Sequence, residues 1–393
     1  MTFILPSFRT LSISTFRFNG AFTGIIRRFQ STVPSARLKL EEYKTFKLDS
    51  VPSPETECTR EDALKFLETL QRIRRMETAA GNMYKEKHIR GFCHLYSGQE
   101  AVAVGLEAAL HPGDTIITAY RCHGFTMTRG ASVRSILAEL AGRKTGCSLG
   151  LGGSMHLYQK DFYGGNGIVG AQVPIGVGIA LRMKHRGDQN VSVTLYGDGA
   201  ANQGQVFEAF NIAKLWNLPV VFVCENNKYG MGTAVHRASA NTAYYTRGDY
   251  IPGLWVDGMD VLTVRESMRF ARDWCLSGKG PILLEMETYR YHGHSMSDPG
   301  TSYRTREEVQ AMRRGRDPIT LFQKRAVDAQ LITEDEAKAV EKRVRQEVDK
   351  DTEECLKDPE PELDHRFFRV YQSSPPDFKI RGCDILTWSA PRS

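Results

Sequence analysis

Residues 191–231, VSVTLYGDGAANQGQVFEAFNIAKLWNLPVVFVCENNKYGM, alternate two short apolar runs with one longer periodic run. Val191 to Tyr196 is predicted as a strand. Gln205 to Trp216 sets Val206, Phe210, Ala213 and Leu215 near one helix face, and Leu218 to Cys224 is a continuous apolar run of the kind buried in parallel sheets. Strand, helix and strand in this order form a βαβ unit. The expected fold class is therefore α/β, a parallel sheet with helices on both faces, carrying a helical C-terminal appendage. Asp198 lies just past the carboxyl end of the first strand and Asn227 just past the second. Both side chains are thereby aimed at the crevice where such sheets bind ligands.

An ionised carboxylate (Asp198), an amide oxygen (Asn227) and a backbone carbonyl two residues on (Tyr229) are hard oxygen donors. Together they leave half of a magnesium octahedron for diphosphate oxygens and water. Gly197 and Gly199 flank the acid, where the chain must turn sharply and bring N–H groups near an anion. The Gly-Asp-Gly at 197–199, with Asn226 and Asn227 closing the next strand, resembles the thiamine diphosphate fold motif. From about residue 60 to 320 the chain is similar to the α subunits of mitochondrial pyruvate dehydrogenase, within the thiamine diphosphate-dependent 2-oxo acid dehydrogenase family.

The resemblance implies a set of contacts. Tyr120 and Arg121, at the end of a strand expected over Thr115 to Ala119, would bind the cofactor diphosphate; an arginine offers a planar fork for phosphate oxygens. Backbone at Gly167 and Val169 would receive the aminopyrimidine ring, with a helix from about Pro174 behind it. Asp198, Gly199, Ala200, Asn227, Tyr229 and His294 would complete the cofactor set, and Asp198, Asn227 and Tyr229 would hold Mg2+. His94 and His294 would act on the 2-oxo acid, since imidazole donates or accepts a proton near neutral pH.

At 393 residues, with 41% hydrophobic and 25% charged residues, the chain can build one large domain with appendages. Its net charge of +6 owes four charges to Arg9, Arg17, Arg27 and Arg28, in a segment with no acid before Glu41. That Ser-, Thr-, Phe- and Arg-rich stretch, residues 1–30, has the composition of a mitochondrial transit peptide, and the matrix is the expected location. No run approaches 18 apolar residues, so no membrane span is expected. Cys58, Cys93, Cys122, Cys147, Cys224, Cys275, Cys355 and Cys383 are scattered without CxxC spacing, against zinc sites and a disulfide framework. Nothing in the residues points to a nucleic-acid partner.

Along the chain, residues 31–58 read as an extended arm and 59–320 as the α/β domain. Thr59 is expected to cap a helix bearing Ala63, Phe66, Leu67, Leu70, Ile73 and Met76, with Arg72, Arg74 and Arg75 on a solvated face. Ser97 with Glu100 reads as a capping box starting a helix through Leu110. Residues 232–260 read as a long loop, Val261 to Trp274 as strand then helix, and the segment from Gly280 as a strand. A stripe of Ala337, Val340, Val344 and Val348 predicts a helix capped by Thr333 with Glu336, within a C-terminal helix and tail over 321–393.

About 260 residues of α/β cannot supply both halves of a thiamine site. The resemblance places the other half on a pyruvate dehydrogenase β subunit, typically in an α2β2 assembly. It also implies a lipoyl-bearing dihydrolipoyl acetyltransferase as the acetyl acceptor. Ser295 and Ser302 match the family's phosphorylation sites, implying a kinase and a phosphatase as partners, whereas Ala234 occupies the third. The implied activity is oxidative decarboxylation of pyruvate with acetyl transfer to the lipoyl group. Two alternatives stand beside it: a branched-chain 2-oxo acid dehydrogenase α subunit, and a catalytically silent binding subunit.

Overall fold

The structure, a computed structural model, describes residues 32–363 together with 365, 371, 373, 380–381 and 388–389. The transit peptide expected at 1–30 and much of the expected tail lie outside the described residues. Three strands open the described chain: β1 (Ser35–Lys39), β2 (Lys44–Phe46) and β3 (Glu55–Thr59). They are followed by α1 (Arg60–Lys85), α2 (Glu100–Glu107), β4 (Thr115–Ala119), α3 (His123–Thr128) and α4 (Val133–Leu140). The middle of the chain runs β5 (Phe162–Asn166), α5 (Gln172–Arg186), β6 (Ser192–Gly197), α6 (Gly204–Leu215) and β7 (Val220–Asn226). A short hairpin, β8 (Tyr229–Gly230) and β9 (Thr233–Ala234), leads through α7 (Val235–Ala238) to β10 (Gly253–Asp257), α8 (Val261–Trp274) and β11 (Ile282–Glu287). Helices α9 (Arg306–Arg316), α10 (Pro318–Asp328) and α11 (Glu334–Lys357) follow.

The main sheet has seven strands in the order β2-β10-β11-β7-β6-β4-β5. All neighbours are parallel except β2, which runs antiparallel on the β10 edge. Alternate residues of the central strands feed two different cores. Val193, Leu195, Val221 and Val223 join the larger one, with α1, α2, α8 and α11. Tyr196, Val220, Phe222 and Cys224 join a smaller one under α5 and α6. That second layer is thin, and among its charged and polar outer residues Ile175, Leu181, Phe207, Leu215 and Trp216 are all exposed. Crossovers from β5 and β6 use this face, while α8 crosses on the other. The switch between them leaves a crevice at the carboxyl ends of β4, β6 and β7.

Local signals account for several boundaries. Thr59 Oγ1 accepts from Asp62 N at 3.0 Å to start α1. Thr333 and Glu336 form the reciprocal capping box of α11. Other expectations are corrected. α2 begins at Glu100 without a side-chain cap from Ser97. Glu100 instead pairs with Arg74 and accepts Gly98 N–H at 2.9 Å, because a buried carboxylate gains more from a guanidinium than from a helix amide. The basic face of α1 is not solvated. Arg72 pairs with Glu347 at 3.0 Å and Arg75 with Asp349 at 2.8 Å, so α11 lies acid-side against it, while Arg74 pairs with Asp317, the cap of α10, at 2.9 Å. Residues 232–260 contain β9, α7 and β10 rather than one loop. Val261 to Trp274 is helical throughout, capped by Asp260, whose Oδ1 accepts from Leu262 N at 3.2 Å.

The glycine-dense stretch after α4 is built around one carboxylate. Buried Glu139 accepts backbone N–H groups from Ser148 (2.7 Å), Gly150 (2.8 Å), Gly152 (2.6 Å) and Gly153 (3.3 Å). A loop wrapped this tightly has little room for side chains, and a Cβ on Gly146 would stand 2.3 Å from Glu139 Oε2. Glu139→Ala is expected to destabilise the fold by on the order of 3 kcal/mol, because it orphans several amides at once. Amide hydrogen exchange of residues 148–153 should lose its protection. Unchanged protection there would contradict this account.

Candidate functional site

Parallel pairing of Gly197 with Glu225 sets Asp198 and Asn227 at adjacent strand ends. The chain after β7 folds back so closely that a Cβ on Gly230 would stand 3.1 Å from Gly199 Cα and 3.8 Å from Asp198 Oδ2. Asp198 is 2% exposed. Burial pushes its carboxyl from the ordinary 3.8 up to about 6, against the opposing pull of backbone hydrogen bonds at Asp198 and Asn227 and of the Arg290 charge. Asn227 donates from Nδ2 to Gln99 Oε1 at 3.3 Å, and its Oδ1 is buried with no partner. The Tyr229 carbonyl accepts from Arg290 Nη1 at 3.2 Å, leaving one lone pair. Among the described residues no group of three or more His, Cys, Asp or Glu side chains gathers as a metal cluster. The oxygen set of Asp198, Asn227 and Tyr229 contains only one such side chain.

Beside this set lies an aromatic cluster. The His94 ring is 4.4 Å from Tyr120 and 5.1 Å from His294 between centroids, and Tyr120 and His294 are 5.4 Å apart. Phe92, 59% exposed, stacks on His94 at 5.8 Å. Arg121 is buried and its fork is already in use: Nη1 donates to Leu95 O at 2.6 Å and Nη2 to His294 O at 2.8 Å. It therefore ties the segment bearing His94 to the segment bearing His294. Burial first, then the Arg121 charge, lowers His94 to about 2 and His294 to about 4. Both imidazoles are neutral at pH 7, and Nδ1 of each is buried without a partner. Burial also lowers Arg121.

Gly167 and Val169 follow β5 on an exposed turn. Asn166 Oδ1 accepts Ile168 N–H at 3.0 Å, and Val169 O accepts from Gln205 Nε2 at 3.1 Å. Ile168 is 73% exposed. Ala200 begins the short helical turn after Gly199 and is buried. The two serines differ. Ser295 is buried, its Oγ 2.8 Å from Ser297 Oγ, whereas Ser302 is exposed. The loop between them is locked by Asp298, whose carboxylate accepts from His294 N (2.6 Å), Gly300 N (2.8 Å) and Tyr303 Oη (2.6 Å).

Three residues of this neighbourhood were not singled out by sequence reasoning. Arg290 is 1% exposed and donates to Met231 O at 2.9 Å and Tyr303 Oη at 3.0 Å. Arg304 donates to the carbonyls of Arg290 and His292. Gln99 is the partner of Asn227. The arginine that follows β11 was the available signal, since a charged residue continuing a buried strand needs partners at its end.

The residues present fit a magnesium diphosphate group. Asp198 makes no ion pair among the described residues, Asn227 Oδ1 lacks a donor, and the surrounding charge from Arg121, Arg290 and Lys228 is positive. The raised Asp198 carboxyl has a consequence for stability. An acid whose folded value lies above its unfolded one destabilises the fold progressively as pH climbs from about 4 to about 6, and fully above that. Asp198→Asn should therefore stabilise the metal-free protein by on the order of 2–3 kcal/mol at pH 7.5 and leave it unchanged near pH 4. Thermal unfolding with and without Mg2+ measures both terms. A variant less stable than the parent at pH 7.5 without metal would overturn the assignment.

Comparison with known proteins identifies the family. Residues 68–364 match the family described as dehydrogenase E1 component. The chain is 61% identical over 342 residues to a probable pyruvate dehydrogenase E1 component subunit alpha, mitochondrial, of Caenorhabditis elegans, covering 87% of this chain and 86% of the relative. It is 58% identical over 343 residues to the type II mitochondrial subunit alpha of Ascaris suum, covering 87% and 88%. It is 58% identical over 349 residues to the somatic-form mitochondrial subunit alpha of Homo sapiens, covering 89% of each. With a parallel sheet, a Gly-Asp-Gly turn at its switch point and a family match over most of its length, the chain belongs to the dehydrogenase E1 component family.

Proposed function

We propose that this chain is the α subunit of a mitochondrial pyruvate dehydrogenase. With a β subunit in an α2β2 assembly it decarboxylates pyruvate and passes the acetyl group to a lipoyl group on an acetyltransferase. The observation that carries the chemistry is the set of buried polar atoms without partners, Asn227 Oδ1, His94 Nδ1 and His294 Nδ1, at the carboxyl edge of the sheet. Thiamine diphosphate, when bound, supplies the nucleophilic carbon and the electron sink for decarboxylation. Asp198, Asn227 Oδ1 and the Tyr229 carbonyl would hold Mg2+. Tyr120 and Arg121 favour the diphosphate, Arg121 by its charge and by keeping both histidine segments in place. Gly199 and Ala200 would line the diphosphate site, and the Gly167 and Val169 backbone would receive the aminopyrimidine. His94 and His294, held neutral, can each donate a hydrogen bond to a developing oxyanion.

The exposed apolar residues on Phe92, Ile168 and Val169 and along α5 and α6 support contact with other subunits. Relatives named for pyruvate at 58–61% identity favour that substrate over branched-chain 2-oxo acids. A silent binding subunit would not need two neutral imidazoles packed edge to face at 5.1 Å, each with a buried Nδ1 that no protein group satisfies. Coexpression with a β subunit should give lipoyl acetylation with pyruvate, and branched-chain acids should be poorer by about 10-fold or more. His94→Ala should lower kcat by about 10²–10³-fold with cofactor affinity nearly unchanged. Full turnover in that variant would sink the role given to His94.

Regulation by a kinase and a phosphatase acts on the loop at 292–304. A phosphate on Ser295 adds nearly two negative charges next to His294 and cannot be housed in a side chain that is 5% exposed, so the loop must open. Phosphorylation of the assembled enzyme at Ser295 should abolish activity and raise hydrogen exchange across 292–304. Ser295→Ala should resist inactivation by kinase acting on that site. Retained activity with Ser295 stoichiometrically phosphorylated, mapped by mass spectrometry, would end this reading.

A further inference from the structure

Two asparagines close the strand β7 region, and only the second has a part in the site so far. The first, Asn226, is 2% exposed, and both ends of its amide are committed. Its Oδ1 accepts Lys228 N–H at 3.1 Å, and its Nδ2 donates to Glu285 Oε1 at 2.7 Å. Glu285, on β11 and also 2% exposed, accepts Tyr245 N–H at 3.0 Å through its other oxygen. Parallel pairing of Glu285 with Cys224 puts this carboxylate on the sheet face that Asn226 shares, two residues further along β7.

The polarity of this chain of contacts is fixed at both ends. A backbone N–H can only donate, so the atoms that face Lys228 N and Tyr245 N are acceptors, and the amide end left for Glu285 Oε1 is the NH2. Turned the other way, Asn226 would set its NH2 against the Lys228 N–H and its oxygen against a carboxylate oxygen, two mismatches in a buried place. The contact between Asn226 Oδ1 and the N–H two residues on closes an Asx turn. Within it Lys228 adopts φ +73°, a left-handed conformation unfavourable for a residue with a Cβ and kept only where its surroundings hold it. That turn carries Asn227 and leads straight into Tyr229. We propose that Glu285 and Asn226 are positioning residues of the cation site: the carboxylate on β11 orients the Asn226 amide, and the amide holds the turn that delivers Asn227 Oδ1 and the Tyr229 carbonyl to the divalent cation. Outer partners of this kind orient ligands and tune affinity at metal sites. The inference rests on the reading of Asn227 and Tyr229 as magnesium ligands.

The test is Mn2+ binding to the assembled complex, stripped of metal by chelation and supplied with thiamine diphosphate, with free Mn2+ followed by paramagnetic resonance. Glu285→Gln keeps the shape but offers one acceptor where two are needed, and should weaken Mn2+ by about 10–100-fold. Adding Asn226→Asp restores the match at unchanged net charge. The carboxylate at 226 then accepts from Lys228 N–H and from the introduced NH2, whose oxygen is left for Tyr245 N–H. The double variant should therefore bind within about threefold of the parent. Amide exchange of the 226–230 turn in the metal-free complex should lose protection in Glu285→Gln and regain it in the double variant. Parent-like affinity in Glu285→Gln, or no recovery of affinity and protection in the double variant, would overturn the proposal. So would Asn226→Asp alone binding more tightly than the parent, since charge and not orientation would then explain the recovery. If Glu285→Gln does not assemble, the double variant must still assemble and bind, and its failure would count equally against the proposal. Parent-like affinity in Asn227→Ala would instead sink the magnesium reading beneath it, leaving the exchange result to stand for the turn alone.

Discussion

The parallel register between β6 and β7 is the constraint on which the site depends. Pairing Gly197 with Glu225 brings two chain turns to the same edge of the sheet, one carrying a carboxylate and the other an amide. Neither turn could be shifted alone, since a one-residue slip would exchange Val193 and Leu195 with the residues of the opposite core. The hydrophobic alternation of the strands therefore determines the polar geometry at their ends. Hydrophobic burial here does chemical positioning as well as folding.

A second layer of support is electrostatic and lies away from the sheet. Arg74 on α1 joins Glu100 at the start of α2 to Asp317 before α10, and Arg121 joins the carbonyls of Leu95 and His294. Buried guanidinium groups are costly unless every donor finds an acceptor, and backbone carbonyls at loop ends are ready acceptors. The result is a set of loops without regular structure that are nonetheless held from several directions. Arg290 and Arg304 do the same for the segment after β11. Such loops order side chains as firmly as a helix would.

These two layers explain how much could be read from the sequence. The strand over Thr115 to Ala119, the Thr59 and Thr333 caps and the strand-helix-strand unit at 191–231 carry their own local signals, so both the fold class and the strand-end placement of Tyr120, Arg121, Asp198 and Asn227 were legible. β10 was not, because five residues flanked by aromatic loops have no period of their own and become a strand only between β11 and β2. The Ser97 capping signal failed for a similar reason: Arg74, remote in sequence, claimed Glu100. Gln99 was illegible because its significance lies in a contact across 128 residues of chain, and the partners of Arg290, one of them 61 residues away, could not be named even though its place after a strand signalled that it needs some.

The thin layer of α5 and α6 has a consequence for the cell. A chain that leaves Ile175, Leu181, Phe207, Leu215 and Trp216 open to water displays the surface that chaperones and proteases recognise. Copies that find a partner hide it, and copies that do not remain marked for removal. A partner covering that face would also protect the chain from removal, so surface chemistry by itself would favour matched amounts of the two.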